Sequence, residues 1–237
     1  MKKIAFIILI QLLGNHSYTI AQNKIEKKLE KYISGLHLRF NTIPASRKKV
    51  LKELGNAIVK KRIKHQPINI LAIGKSNAAR TQVMEAFIKA TTAYYDLDSI
   101  YSYSGGIEVS KVNEQVITWL REAGFSIEKI DKEKGHENPK YLISIGKKSP
   151  DYTLFSKRYD HPFNPPEDFI SILVDENILK NKSLPLKYKK HQLFYREIKS
   201  VEGKVKSQTD HEGMHQIALD IAYLMDYVKK EIKLHRE

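Results

Sequence analysis

The chain has 237 residues, of which 41% are hydrophobic and 29% charged, enough for one large domain, or one domain with an appended piece, around a packed core; disorder is not the default. Its formal net charge of +14 predicts attraction to phosphates or anionic surfaces. The lysines are spread over many segments and form no arginine-rich, aromatic-interleaved stripe, which argues against nucleic acid. No cysteine is present, so disulfides, thiolate metal sites and cysteine nucleophiles are all excluded.

Residues 1–21 read as a secretory signal: Lys2 and Lys3, an apolar run too short to span a bilayer, then small residues up to Ala21. Cleavage before Gln22 takes the formal charge from +14 to +12, leaves no membrane span and places the protein outside the cytoplasm, periplasmic or extracellular. Residues 22–66 then form an N-terminal helical extension. Asn23 to Leu36 is one helix and Ala45 to Ile63 another, the second opened by Pro44 and marked by apolar residues three and four apart.

Residues 67–237 read as one α/β domain. Ile68 to Ile73 is a buried strand, Arg80 to Tyr94 a helix, and Ser99 to Ser104 a strand that stops at Gly105 and Gly106. Asn113 to Ala123 is a helix closed by Gly124. Further strands are expected at Tyr141 to Ile145, Phe169 to Val174 and Leu193 to Ile198, with the polar, proline-rich SKRYDHPFNPPED as a surface loop. A last helix, Thr209 to Leu234, carries Met214, Ala218, Ile221, Met225, Val228 and Ile232 as one stripe. Strands alternating with helices predict a parallel sheet flanked by helices on both faces, with ligands at the carboxyl ends of its strands.

The segment ILAIGKSNAAR stands at such an end. Backbone N–H groups between Gly74 and Arg80, the helix dipole and the Arg80 guanidinium converge on one point, a cradle for phosphate or another oxyanion. Lys75 adds charge, Asn77 braces the loop and Thr81 bonds at the helix start, while Ser76, Ala78 and Ala79 complete the turn.

This segment resembles the phosphate loop of the low-molecular-weight protein tyrosine phosphatase and arsenate reductase superfamily. Asn77, Arg80, Thr81 and Glu85 match its pattern, and Gly74 falls where the nucleophilic cysteine belongs. YSGGIEVSKVNEQVITWLREAGF, FSKRYDHPFNPPEDF and VDEN resemble a bacterial phosphatase-like branch of it, so the resemblance runs from roughly residue 68 to residue 235. It implies phosphatase or reductase chemistry by a thiolate and an aspartic acid that protonates the leaving oxygen. Here Gly74 cannot attack, and Glu197, followed by Ile198 instead of proline, is the candidate relic of the acid. A hydroxyl from Ser76 or Thr81 would need a base that the sequence does not show. The expectation is a pseudo-phosphatase without catalytic cysteine or cofactor that holds an oxyanion or a phosphorylated partner.

Two other readings stand beside it. HEGMH offers His211, Glu212 and His215 in the H-E-x-x-H pattern of a zinc hydrolase. The acids downstream, Asp220, Asp226 and Glu231, run away along the same helix, so no third ligand follows and two surface histidines are the expectation. Lastly, the lysine faces fit a basic electrostatic adaptor whose pocket is vestigial.

Overall fold

The computed structural model describes residues 25–131, 137–198 and 208–235; the signal segment and part of the LFYREIKSVEG stretch lie outside them. The chain runs α1 (Lys27–His37), α2 (Ala45–Ile63), β1 (Ile68–Gly74), α3 (Arg80–Tyr94), β2 (Ile100–Gly106) and α4 (Glu114–Ala123). It continues through β3 (Ser126–Lys129), β4 (Tyr141–Ser144), β5 (Tyr152–Leu154), β6 (Phe169–Leu173), β7 (His191–Gln192) and α5 (Gln208–Leu234).

A parallel four-stranded sheet in the order β2-β1-β6-β7 is flanked by helices, as expected. The period-two pattern of β1 sorts its faces: Ile68, Ile70 and Ala72 join the core shared by the five α-helices. Leu71 and Ile73 join a smaller core, roofed by the 3₁₀ turns at Glu176–Ile178 and Leu186–Tyr188 and by Tyr159. The α5 stripe is buried, and α1 and α2 pack against α5 through the same core. No helix among the described residues is long and apolar enough to cross a membrane.

Four differences from the sequence reading have local causes. Tyr141 to Ser144 forms β4 in a separate antiparallel sheet, β3-β4-β5, whose outer strands are too short and polar to announce themselves. The expected strand at Leu193 to Ile198 does not form; a two-residue strand, His191–Gln192, stands just before it. Beyond Gln192, Leu193 N–H still donates to Leu173 and Tyr195 N–H to Val174, at 2.9 and 3.1 Å, and the Arg80 side chain takes the Tyr195 carbonyl. β2 runs on through Gly105 and Gly106, because both let another strand of backbone pass. A Cβ on Gly105 would sit 2.4 Å from Tyr159 Cα, and one on Gly106 2.8 Å from the Asn77 nitrogen. Finally, the proline-rich segment is no surface loop throughout: its own Ser156, Lys157, Tyr159 and Asn164 are buried.

Candidate functional site

Strand order reverses at β1: the chain steps from β1 through α3 to β2 on one side, and returns to place β6 on the other. The carboxyl ends of β1 and β6 therefore diverge into a crevice. Residues 75–79 leave β1 there and lead into α3, and Val174 and Asp175 leave β6 opposite them.

Asn77 sets the loop's shape. It sits in the left-handed region at φ 49° and is 1% exposed. Its Nδ2 donates to Thr81 Oγ1 and to Ser104 Oγ, both at 2.9 Å, and its Oδ1 accepts from Lys157 N–H at 2.9 Å. Gln82 Nε2 donates to its carbonyl at 2.8 Å. Ser104 in turn donates to Glu85 Oε2 at 2.6 Å, and Lys157 Nζ lies 3.6 Å from the same oxygen. Ser156 Oγ donates to Ser76 O at 2.9 Å. Apart from Gln82 Oε1, which has no partner among the described residues, the buried side-chain atoms named here are paired, which makes the loop rigid rather than adaptive.

Asn77→Ala breaks three side-chain bonds, strands the Lys157 N–H and puts alanine at a left-handed φ. Urea denaturation should show a loss of about 2–4 kcal/mol; a loss below about 0.5 kcal/mol would mean the turn is set elsewhere.

Within this frame the loop's own backbone donors are unspent. No acceptor among the described residues takes the N–H groups of residues 75–80. Ala79 leads into α3 without a side-chain cap, so the first-turn N–H groups of a 15-residue helix are open as well. A cavity of about 60 Å³ lies against Gly74 to Thr81, Val174, Glu197 and Ile198, several times the about 10–15 Å³ that one water needs. It opens beside a wider cleft of about 670 Å³.

Arg80 stands at the junction of the two cavities. One terminal nitrogen donates to Tyr195 O at 2.8 Å and, more weakly, to Val174 O at 3.5 Å, and the other to Asp175 Oδ2 at 2.6 Å, with both charged side chains nearly buried. The guanidinium has five N–H donors, so its Nε–H and one terminal N–H remain for a ligand. Asp175 also accepts from Asn177 N–H at 3.0 Å, which holds its carboxylate in place.

The expected site residues therefore divide. Gly74 to Thr81 come together as one cradle, with Lys75 exposed on its rim. Glu197 reaches the mouth of the same cavity but is exposed. His211, Glu212 and His215 lie on α5 and line neither of the two cavities. His215 is no free surface histidine: Arg39 donates to its Nε2 at 2.8 Å and its Nδ1 meets Tyr32 Oη at 2.9 Å. Burial, and then the Arg39 charge, lower its pKa, and both nitrogens are used by the protein. Among the described residues no three acids or histidines are placed to hold a metal.

Sequence reasoning missed Asp175 and the Tyr195 carbonyl as partners of Arg80. Only the acid that follows β6 in VDEN, at the carboxyl end of a parallel strand, could have pointed to the first. A backbone carbonyl leaves no signal in sequence.

No protein-family model matches the chain, and no curated protein matches it. Solved structures do resemble it at the level of fold alone. A YwlE mutant from Bacillus subtilis matches at 14% identity and a TM-score of 0.41, over 70% of this chain and 99% of that one. A low-molecular-weight phosphotyrosine phosphatase from Vibrio cholerae matches at 15% identity and a TM-score of 0.40, over 70% and 97%. A thioredoxin-dependent arsenate reductase from Corynebacterium glutamicum matches at 18% identity and a TM-score of 0.38, over 86% of each chain.

Proposed function

We propose that residues 75–81 form an oxyanion cradle that holds phosphate, or a phosphorylated group on a partner, without hydrolysing it. One observation carries this reading: a buried, fully paired Asn77 locks a turn whose own N–H groups are left for a ligand beside Arg80. Preorganised donors of this kind favour an anion because no reorganisation is needed when it arrives. The chain has no thiol, and Gly74 at the floor of the cradle offers no nucleophile, so binding rather than turnover is its function. Glu197 at the mouth is the relic of a general acid. Residues 1–21 direct the protein out of the cytoplasm, where it meets a phosphorylated partner.

Calorimetric titration of the protein with phosphate and with tungstate tests this. Saturable one-site binding is expected; no saturable binding, or turnover of an aryl phosphate by the wild-type protein, overturns it.

Asp175 has a defined sign in the same experiment. Its carboxylate competes for the Arg80 charge and repels an anion in the adjoining cavity. Asp175→Asn keeps an acceptor for Arg80 and removes the charge, so tungstate should bind about tenfold more tightly, about 1.4 kcal/mol. Weaker binding would mean that the carboxylate serves chiefly to aim the arginine.

A further inference from the structure

Residues 193–198 have no regular structure, yet they supply the carbonyl that holds Arg80 and carry Glu197 to the cavity. Tyr195 pins this segment from three sides. Its N–H donates to Val174 O at 3.1 Å, its carbonyl accepts from Arg80 at 2.8 Å, and its hydroxyl donates to Asp220 Oδ2 at 3.0 Å. Asp220, fully buried on α5, takes Arg47 Nε on the same oxygen at 2.8 Å and Gln216 Nε2 on the other at 2.9 Å. The Arg47 guanidinium also lies over the Tyr195 ring, 4.4 Å from its centroid. Arg47 belongs to the first turn of α2, so that helix reaches the cradle's arginine through two side chains and one carbonyl.

Such a network is a poor device for stability alone. Burial raises the Asp220 pKa against the opposing pull of Arg47, which marks a carboxylate that is costly to enclose. Apolar residues would fill the same space at no such cost, and in some proteins a buried polar or ionic group is kept because it fixes a register. Here the register concerns a segment with few ladder bonds of its own.

We propose that Arg47, Asp220 and Tyr195 are positioning residues of the cradle: they fix the Tyr195 carbonyl that orients Arg80, and so make α2 part of the anion-binding apparatus. The binding consequence rests on the oxyanion reading above; the orientation of Arg80 does not.

The test uses the full chain with Tyr195→Phe, which removes one oxygen and keeps the ring, and with Arg62→Met as control, which breaks a surface pair with Asp98. Rotation of the Arg80 guanidinium is measured by ¹⁵N NMR of arginine side chains, its signal assigned with Arg80→Lys, and tungstate affinity by calorimetry. Tyr195→Phe should speed that rotation and weaken tungstate about tenfold, the scale of one well-placed hydrogen bond; Arg62→Met should change neither. Arg47→Met should speed rotation in the same way, with a lower melting temperature because Asp220 loses its ion pair. Unchanged Arg80 rotation in folded Tyr195→Phe overturns the proposal. A wild-type protein that binds no tungstate removes the oxyanion reading and leaves the rotation measurement to decide this one.

Discussion

Arg80→Ala is expected to abolish saturable binding of phosphate and tungstate. Truncating a nearly buried arginine that faces an anion costs about 2–4 kcal/mol, or roughly 30- to 1,000-fold in affinity. The same change withdraws the cation from Asp175, whose side chain is 6% exposed. Breaking a buried pair by removing one partner is destabilising, here by about 2–4 kcal/mol since Asp175 retains the Asn177 N–H. Affinity and stability must therefore be read separately, by calorimetry on protein shown to be folded and by urea denaturation. Arg80→Lys separates charge from geometry. Lysine supplies a point charge without the planar fork, so it cannot hold Asp175, the Tyr195 carbonyl and a ligand at once. Its affinity should lie between those of wild type and alanine. Wild-type affinity in folded Arg80→Ala would show that the anion sits elsewhere, on the lysine faces, and steep loss with salt would then follow.

What the sequence disclosed is what local periodicity encodes. Ile68, Ile70 and Ala72 alternate with Leu71 and Ile73, and that alone places β1 between two cores. The Met214-to-Ile232 stripe likewise buries α5, and Asn113 and Gly124 bound α4: the Asn113 side chain accepts from Gln115 N–H and Gly124 adopts φ 113°. The cradle was legible for the same reason, since a strand, a short polar loop and a helix are contiguous in the chain.

The partners that tune the cradle were not legible, because they arrive from far along the chain. Arg80 meets an acid 95 residues away, and Asn77 is braced by a backbone N–H 80 residues away. Arg47 looks like one more cation on a basic helix until α5 places Asp220 beneath it. Asp220 itself reads in sequence as a polar interruption on a helix, yet it is the most enclosed acid of the network. The proline-rich segment misled for a related reason: its serine, lysine and asparagine look solvated, but Ser156 and the Lys157 N–H bond the loop at Ser76 and Asn77, and Asn164 bonds the Ser104 carbonyl on β2.

Gly74→Cys is expected to give the chain a single thiol of depressed pKa, at the floor of the cradle. Gly74 does not have a positive φ, so a side chain is compatible with its backbone. Space is the obstacle. A Cβ there would meet Thr81 Cγ2 at 3.0 Å and Val174 Cγ2 at 3.3 Å, so two methyl groups must yield by a few tenths of an ångström. The crowding should cost about 1–2 kcal/mol. Adding Thr81→Ser removes one of those methyls and keeps the hydroxyl that Asn77 bonds, so the pair should recover part of that loss. Because no other cysteine exists, the pH dependence of iodoacetamide alkylation reports this thiol alone. Open N–H groups at the start of α3 and the Arg80 charge should bring its pKa from about 8.5 to about 7 or below, and tungstate should slow the alkylation. An ordinary thiol pKa with no tungstate protection would mean that the cradle does not gather positive potential at its floor. With a depressed pKa, the variant should also consume an aryl phosphate, whose leaving group needs little protonation from the exposed Glu197. Wild type should consume none. Alkyl phosphates should react far more slowly, and that difference would identify Glu197 as a weak acid left at the mouth of a cradle that keeps its grip on phosphate.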